Sequence, residues 1–415
     1  MEYLDNLVSR TIGEILKPEA FVFRLIEKRL EEKGIQLTEE QKINVKDQLS
    51  RSNSNSFHLE LTSKQEKNLA HSDDGQLILN LLSDKELDEL EYSIQQAITE
   101  ATQETLTSVS KSLLDEWKSQ ATTLLKQQGE DRIEHVKLID KTWAKPLNLL
   151  EILLSVSLEV GATFNEYYRP DALKDNDFVF EALTRLHARG CQVGAEALLL
   201  LRNGFADGAH ARWRTLHEIS VEACFISDQG NNVAEQFLCH SIVSDYRSAA
   251  EYQKHYKAIG YAPPEQKAID AVKIEHDKVI SRFGDYFRYD YGWAAQFLNM
   301  KRPTFADLEK FVGLDHLRPF YKLANMNVHS GSKGASFRLG LPPNDENLLV
   351  AGPSIFGLGE PGQNIAYSFH ILTTSLLLTR ENLDQIAFIS ATRQLMNEIV
   401  WAFDEVMESQ EKEGS

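Results

Sequence analysis

The sequence has few cysteines and none of the short motifs that identify common enzyme classes. Cys191, Cys224 and Cys239 are the only three cysteines among 415 residues, and no two of them form a CxxC pair. An odd number without close spacing argues against a disulfide framework and is typical of buried, reduced thiols. The chain also has no GxxxxGK[ST], HExxH or GxSxG pattern and no zinc-ligand spacing. We therefore expect neither a metal nor another cofactor.

Positive charge is also scarce. The 44 Lys and Arg residues are outnumbered by 62 Asp and Glu, which gives a net charge of −18. This excess argues against non-specific coating of duplex DNA, because phosphate binding depends on dense Lys and Arg. The most apolar long stretch, 147–164, carries Glu151 and Glu159, which are costly inside a membrane. The first ten residues do not resemble a signal peptide. We expect a cytoplasmic protein that is not associated with a membrane.

Most of the sequence has the apolar periodicity of α-helices. Apolar residues recur at intervals of three and four, which predicts an all-α protein. We expect an N-terminal helical region over 1–130 and a larger helical bundle over 131–410, joined near QQGED at 127–131. Within the second region the predicted helices are 133–168, 174–203, 205–228, 231–259, 264–283, 305–312, 314–329 and 364–410.

Two segments depart from this pattern of short amphipathic helices. Residues 330–362 are rich in glycine and proline, which predicts a long structured loop folded over the site. If that loop contains strands, SFRLG and NLLVA are the expected pieces. Residues 84–128 contain no proline or glycine and predict one or two long amphipathic helices. Such a helix is either one layer of a bundle or a surface that binds a protein partner or a second copy.

A polar stripe on the predicted helix around 205–226 is the first candidate site. His210, Arg214, His217 and Glu218 fall on one side at helical spacing, together with Asp207. Arg214 and Glu218 are four residues apart, so the carboxylate could orient the guanidinium. Two interpretations remain open: the stripe is the solvent face of an amphipathic helix, or it handles phosphate, for which His and Arg are suited.

His329 is the second candidate. A helix-like run, FYKLANMNVH, stops at this histidine, and a turn containing Ser330 and Lys333 follows it. Backbone N–H groups of such a turn, with Lys333, could hold an anion, and His329 could transfer a proton to a phosphate ester. Asn325, one turn earlier, could donate to the same phosphate. The alternative is that His329 caps its own helix and Gly331 ends it.

Three segments in order resemble a bacterial family, domain of unknown function 5677. They are LLLLRNGFADGAHARWRTLHE, RYDYGWA and FYKLANMNVHSGSKG, and the resemblance covers roughly residues 145–400. Its members resemble the HEPN superfamily of helical, usually dimeric ribonucleases, and some lie near phage-defence genes. HEPN proteins carry an R-x(4–6)-H motif, whose arginine position is Ala324 in this chain. The family pattern falls on Arg214, Glu218, Tyr291, Gly292, Trp293, Tyr321 and His329.

Two hypotheses about function follow. In the first, the protein is an effector of a bacterial defence or toxin-type system that cleaves RNA or handles a nucleotide without a metal. It would be a homodimer, with His329 as acid or base, Arg214 stabilising charge and Glu218 orienting Arg214. In the second, it is a non-catalytic sensor or partner-binding module that uses 84–128. The ligand-binding residues expected under the first hypothesis are Asn325, Ser330, Lys333, His210, His217, Trp293 and Tyr321.

Overall fold

The computed structural model describes residues 13, 18–51, 57–63, 65, 84–329, 331–342, 348–380 and 382–413. Throughout these ranges the regular structure is helical and contains no strand, which confirms the all-α prediction. The chain divides into two compact units, Met1–Gln127 and Gln128–Ser415.

The first unit has a small core of its own. It contains α1 (Pro18–Glu32), α2 (Glu39–Arg51) and the beginning of α3 (Asp84–Asp175). Ile26, Leu30 and Ile35 are buried together in this core. A capping box starts α2: the Gln41 N–H donates to Thr38 Oγ1 at 3.3 Å, and the Thr38 N–H donates to Gln41 Oε1 at 2.9 Å.

Helix α3 is longer than predicted. The expected joint at 127–131 is helical, and α3 continues through Gly129 to Asp175. A single glycine inside a helix costs only about 1 kcal/mol, and no proline lies near it, so the helix is not interrupted there. From Ser110 to Gln120 every residue of α3 is exposed.

Part of α3 is apolar enough to cross a membrane by length and composition alone. Between Ile94 and Asp175 one window has a mean hydropathy of 1.5, and 39% of it is buried within the protein. Leu147, Leu150 and Leu153 are fully buried in the core of the second unit, whereas Ile152 is 49% exposed. A helix with one buried face and one exposed face is typical of the edge of a protein core. That the protein is not associated with a membrane stays a prediction.

Helix α5 is the centre of the second unit. Trp213 is fully buried, and its Nε1 donates to Ser368 Oγ at 2.9 Å. Ser220 Oγ donates to the Ser368 carbonyl at 2.9 Å, which holds α5 (Ala206–Gln229) close to α12 (Gly359–Leu377). The helices of this unit are α4 (Phe178–Arg202), α5 (Ala206–Gln229), α6 (Asn231–Cys239), α7 (Ser241–His255), α8 (Gln266–Phe283), α9 (Phe305–Phe311), α10 (Arg318–Val328), α11 (Ser332–Ser336), α12 (Gly359–Leu377) and α13 (Leu383–Glu413).

Short 3₁₀ turns join several of these helices. They are Asp285–Arg288, Gly292–Ala294, Asp315–Leu317 and Leu378–Arg380. The last of them interrupts the helix that was predicted as continuous over 364–410. The helix predicted over 231–259 is likewise divided, at His240, into α6 and α7.

The predicted loop over 330–362 is shorter and partly helical. Helix α11 lies inside it, α12 begins at Gly359, and the described residues of SFRLG and NLLVA form no strand. Backbone groups here bond outside any ladder: the Leu339 N–H donates to Asp207 Oδ1 at 3.1 Å. The Ser354 N–H donates to the Gly204 carbonyl at 2.9 Å. These two donors are therefore not available for strand pairing.

Candidate functional site: a histidine pocket and a tyrosine-centred network

His329 ends α10 at the wall of a pocket. Its backbone is extended, with φ −111°, and its N–H donates to the Asn325 carbonyl at 3.0 Å. Gly331 is also extended, at φ −80°, so the helix does not end in the left-handed glycine of the predicted cap. The exposed His329 side chain faces a cavity of about 430 Å³. The cavity is lined by Asp207, Gly208, Met326, Asn327, His329, Gly334, Ala335 and Arg338.

Three elements bring this lining together. The first turn of α5 supplies Asp207, the end of α10 supplies Asn327 and His329, and the segment after α11 supplies Arg338. Helix α11 lies directly on α10 because residue 334 is glycine: a Cβ there would be 2.4 Å from the Met326 carbonyl oxygen. We call this set of residues the His329 pocket.

The polar groups of the His329 pocket are held mainly by backbone atoms. Arg338 Nη1 donates to the Phe337 carbonyl at 2.9 Å and to the Gly334 carbonyl. Asp207 Oδ1 accepts from the Leu339 N–H at 3.1 Å. Asn327 Nδ2 is buried and donates to no acceptor among the described residues. The pocket therefore presents an imidazole, a fixed guanidinium and an amide donor, a set that suits an anionic ligand.

Arg214, Glu218 and Tyr321 form a compact hydrogen-bonded group elsewhere on α5 and α10. Arg214 Nη2 lies 2.9 Å from Glu218 Oε1 and donates to the Tyr321 hydroxyl at 3.0 Å. The same hydroxyl donates to Glu218 Oε1 at 2.6 Å. The guanidinium carbon also lies 5.1 Å from the Tyr321 ring centroid. Burial, and then the hydrogen bond to Glu218, raise the pKa of Tyr321 to about 12.

A second charged group lies beside Tyr321. His217 Nε2 is 2.9 Å from Glu309 Oε1, and both side chains are buried. Arg318 forms an ion pair with the other oxygen of Glu309. The Tyr321 ring centroid lies 5.8 Å from the Arg318 guanidinium and 6.0 Å from the His217 ring. We call the set Arg214, His217, Glu218, Glu309, Arg318 and Tyr321 the Tyr321 network.

Carboxyl groups crowd the neighbouring turn of α5. Burial, and then the negative charge of Glu218, raise the pKa of Glu222 to about 8. Burial also raises the pKa of Tyr291 above its ordinary value, with Glu222 and Glu218 adding to the effect. Helix α5 therefore places two carboxyls four residues apart, and one of them, Glu218, pairs with Arg214.

The polar stripe predicted along α5 is not a solvent face. His210, His217 and Val221 are fully buried, because α5 is covered on this side as well. The His210 ring stacks on Trp213 at 5.1 Å, and burial lowers the pKa of His210 to about 4. Its Nε2 lies 3.5 Å from Glu360 Oε1 of α12, and burial raises the pKa of that carboxyl. His210 is thus a neutral core histidine at pH 7.

The remaining predicted site residues lie apart from one another. Trp293 is buried and contacts Phe225 and Phe237 edge-on, at 5.7 and 5.1 Å. Lys333 is exposed on α11, but it does not line the His329 pocket. Asn325 Oδ1 is buried and accepts no hydrogen bond from any described residue. Ser330 lies outside the described residues.

The structure therefore brings together only part of the predicted catalytic set. Arg214, Glu218 and Tyr321 meet, but His329 lines a pocket whose walls include neither Arg214 nor Glu218. Over the described ranges, no group of three His, Cys, Asp or Glu side chains is arranged to hold a metal ion. The absence of a metal or other cofactor stays a prediction.

The fold and these sites define a class: an all-helical protein whose central helix α5 carries a partly buried polar network and one wall of a pocket. Residues 180–347 match the model of a family described as "Family of unknown function (DUF5677)". This range is less than half of the chain, and it supports the predicted resemblance to that family over the segment that holds both sites. No curated protein and no solved structure matches the chain.

Proposed function

We propose that the protein is a phosphate-handling effector that binds RNA or a nucleotide in the His329 pocket and cleaves it by acid–base chemistry. The observation that carries this proposal is an exposed imidazole in a cavity of about 430 Å³ that also contains the Arg338 guanidinium. Arg338 takes the charge-stabilising role that the sequence suggested for Arg214.

The electrostatics of the pocket support an anionic ligand. Nη1 of Arg338 is occupied by carbonyls, so the guanidinium is fixed in place while its other N–H groups can reach a ligand. The first turn of α5 adds backbone N–H groups that have no partner inside the helix, which favours negative charge. Asp207 is the acidic exception. One of its oxygens accepts from Leu339, and the other suits a hydroxyl donor of the same ligand.

The chemistry requires one proton acceptor and one positive charge. The ribose 2′-oxygen attacks phosphorus and the bond from phosphorus to the 5′-oxygen breaks. His329 takes the 2′-hydroxyl proton while water protonates the leaving 5′-oxygen, or the two exchange these roles, and Arg338 stabilises charge on the phosphorane oxygens. Under this proposal the protein is a cytoplasmic ribonuclease similar to HEPN proteins. It acts in bacterial antiviral defence. The motif arginine of HEPN proteins is replaced by the fully buried Ala324, so Arg338 is the cation nearest to that role in the pocket.

The test is cleavage of total RNA and of tRNA by the purified full-length protein in the presence of EDTA. His329→Ala should lower the rate by about 10²-fold or more and leave the melting temperature unchanged, because the side chain is exposed. His255→Ala is the matched control, since that histidine is also exposed and pairs with the exposed Glu251. Equal cleavage by wild type and His329→Ala, or no cleavage by wild type, would overturn the proposal.

A second candidate function is a non-catalytic partner-binding module. It is favoured by the Tyr321 network, in which Arg214 and Glu218 bond to each other and to Tyr321 rather than lining the His329 pocket. Under this alternative His329 only ends its helix. The RNA-cleavage experiment separates the two functions, because a module of this kind has no activity for His329→Ala to remove.

A further inference from the structure

Helix α3 carries an exposed apolar stripe within the first unit. Its side chains are exposed by 45% at Leu106, 38% at Leu113, 64% at Trp117 and 54% at Leu124. With 3.6 residues per turn, these four positions fall within about 40° of one another around the helix axis. They therefore form a straight apolar line of about 27 Å on a segment where the surrounding residues are exposed as well.

We propose that this stripe is a self-association surface, on which two copies of the chain pair through α3 in antiparallel orientation. The spacing of the stripe carries this inference. Leu106 and Leu124 lie at equal distances on either side of position 115, and so do Leu113 and Trp117. A two-fold axis at that position places each residue of one pair opposite the other residue of the same pair, as an isologous interface requires.

The charge pattern of α3 selects the antiparallel orientation. Residues 84–104 contain seven acidic and one basic residue, whereas 105–127 contain three basic and two acidic residues. A parallel pair would set the two acidic segments side by side, where like charges repel. An antiparallel pair about position 115 puts them at opposite ends. This surface lies outside the His329 pocket, so the inference is independent of the proposed activity.

The first experiment is sedimentation or light scattering of the full-length protein over a concentration series. The wild type should reach twice the 47.1 kDa mass of one chain. Leu113→Glu should abolish the dimer, because it places a charge in the apolar line. Thr122→Glu, the same change on the opposite side of the helix, should leave the dimer intact. A monomeric wild type, or a dimer that Leu113→Glu does not weaken, would show that another segment or surface covers the stripe.

The second experiment tests the register. Trp117→Lys alone should also give a monomer, whereas a mixture of Leu113→Glu and Trp117→Lys should restore the dimer. In the antiparallel pairing, position 113 of one copy faces position 117 of the other, so the mixture makes one ion pair and keeps one native apolar pair. A mixture that remains monomeric, while circular dichroism shows both variants folded, contradicts this pairing.

Discussion

The His329 pocket and the Tyr321 network both contain arginine, histidine and an acidic side chain, and both involve helices α5 and α10. Helices α5 and α10 run antiparallel, so the start of α5 meets the end of α10 at the pocket, and the middle of α5 meets the start of α10 at the network. In the network, arginine, histidine and glutamate bond to each other. In the pocket, Arg338 and Asp207 bond to backbone atoms, and the His329 side chain is exposed.

This difference shows that residue type alone does not identify a site. Glu309 is fully buried and has two cationic or imidazole partners, whereas His329 is exposed beside a cavity. A buried group with its partners in place stabilises one arrangement of the helices, and it is not accessible to a ligand. An exposed group beside a cavity can bind one. We therefore expect substitutions in the Tyr321 network to lower stability and substitutions in the His329 pocket to lower ligand binding or cleavage.

Loss of the Glu309 side chain should have the largest effect on stability. Glu309→Ala leaves Arg318 and His217 without their common partner, so we expect the free energy of unfolding to fall by about 3–5 kcal/mol. Urea unfolding followed by circular dichroism measures the change. Glu405→Ala is the control. The Glu405 side chain is 63% exposed and that of its partner Lys145 is 67% exposed, so their ion pair should contribute at most about 1 kcal/mol. Similar losses for the two variants would contradict a structural role for the network.

The helices and the Arg214–Glu218 pair could be predicted from the sequence because both depend on local spacing. Apolar periodicity sets the helices, and an interval of four residues sets the pair. The partner of the pair could not be predicted in this way, since Tyr321 lies 103 residues after Glu218. Only the packing of α10 against α5 brings that hydroxyl to the carboxylate.

Burial explains the remaining differences from the sequence-based interpretation. His210 and His217 have the spacing of a polar face, but Glu360 on α12 and Glu309 on α9 cover them. Arg338 and Asn327 had no distinguishing pattern, and they join the pocket because Gly334 lets α11 approach α10. Contacts of this kind depend on which helices are neighbours, which one sequence does not specify.

Arg214→Ala sharpens the comparison, because Arg214 was first expected to be catalytic. Its removal leaves Glu218 and the Tyr321 hydroxyl without their shared partner, and we expect a loss of about 1–3 kcal/mol. The RNA-cleavage rate per folded molecule should be unchanged. The control is Arg185→Ala, whose side chain is 69% exposed in its pair with Glu181. A variant that is as stable as wild type but inactive would show that Arg214 takes part in catalysis. The Tyr321 network would then not be purely structural.

The last expected effect is on the pH dependence of stability, through Glu222. Its pKa is raised to about 8 in the folded protein, against an ordinary value of 4.5. Below pH 4.5 the carboxyl is protonated in both states and contributes no difference. As the pH rises from 4.5 to 8 the unfolded chain loses this proton while the folded protein keeps it, so stability falls. Above pH 8 the contribution is constant.

Glu222→Gln should remove this slope. The variant should gain stability over wild type as the pH rises through that window. Urea unfolding at a series of pH values measures the difference, and Glu166→Gln, at an exposed position of α3, controls for the loss of one negative charge. A difference that does not change with pH would mean that Glu222 ionises equally in both states. The crowding of carboxyls beside the Tyr321 network would then not extend beyond Glu218.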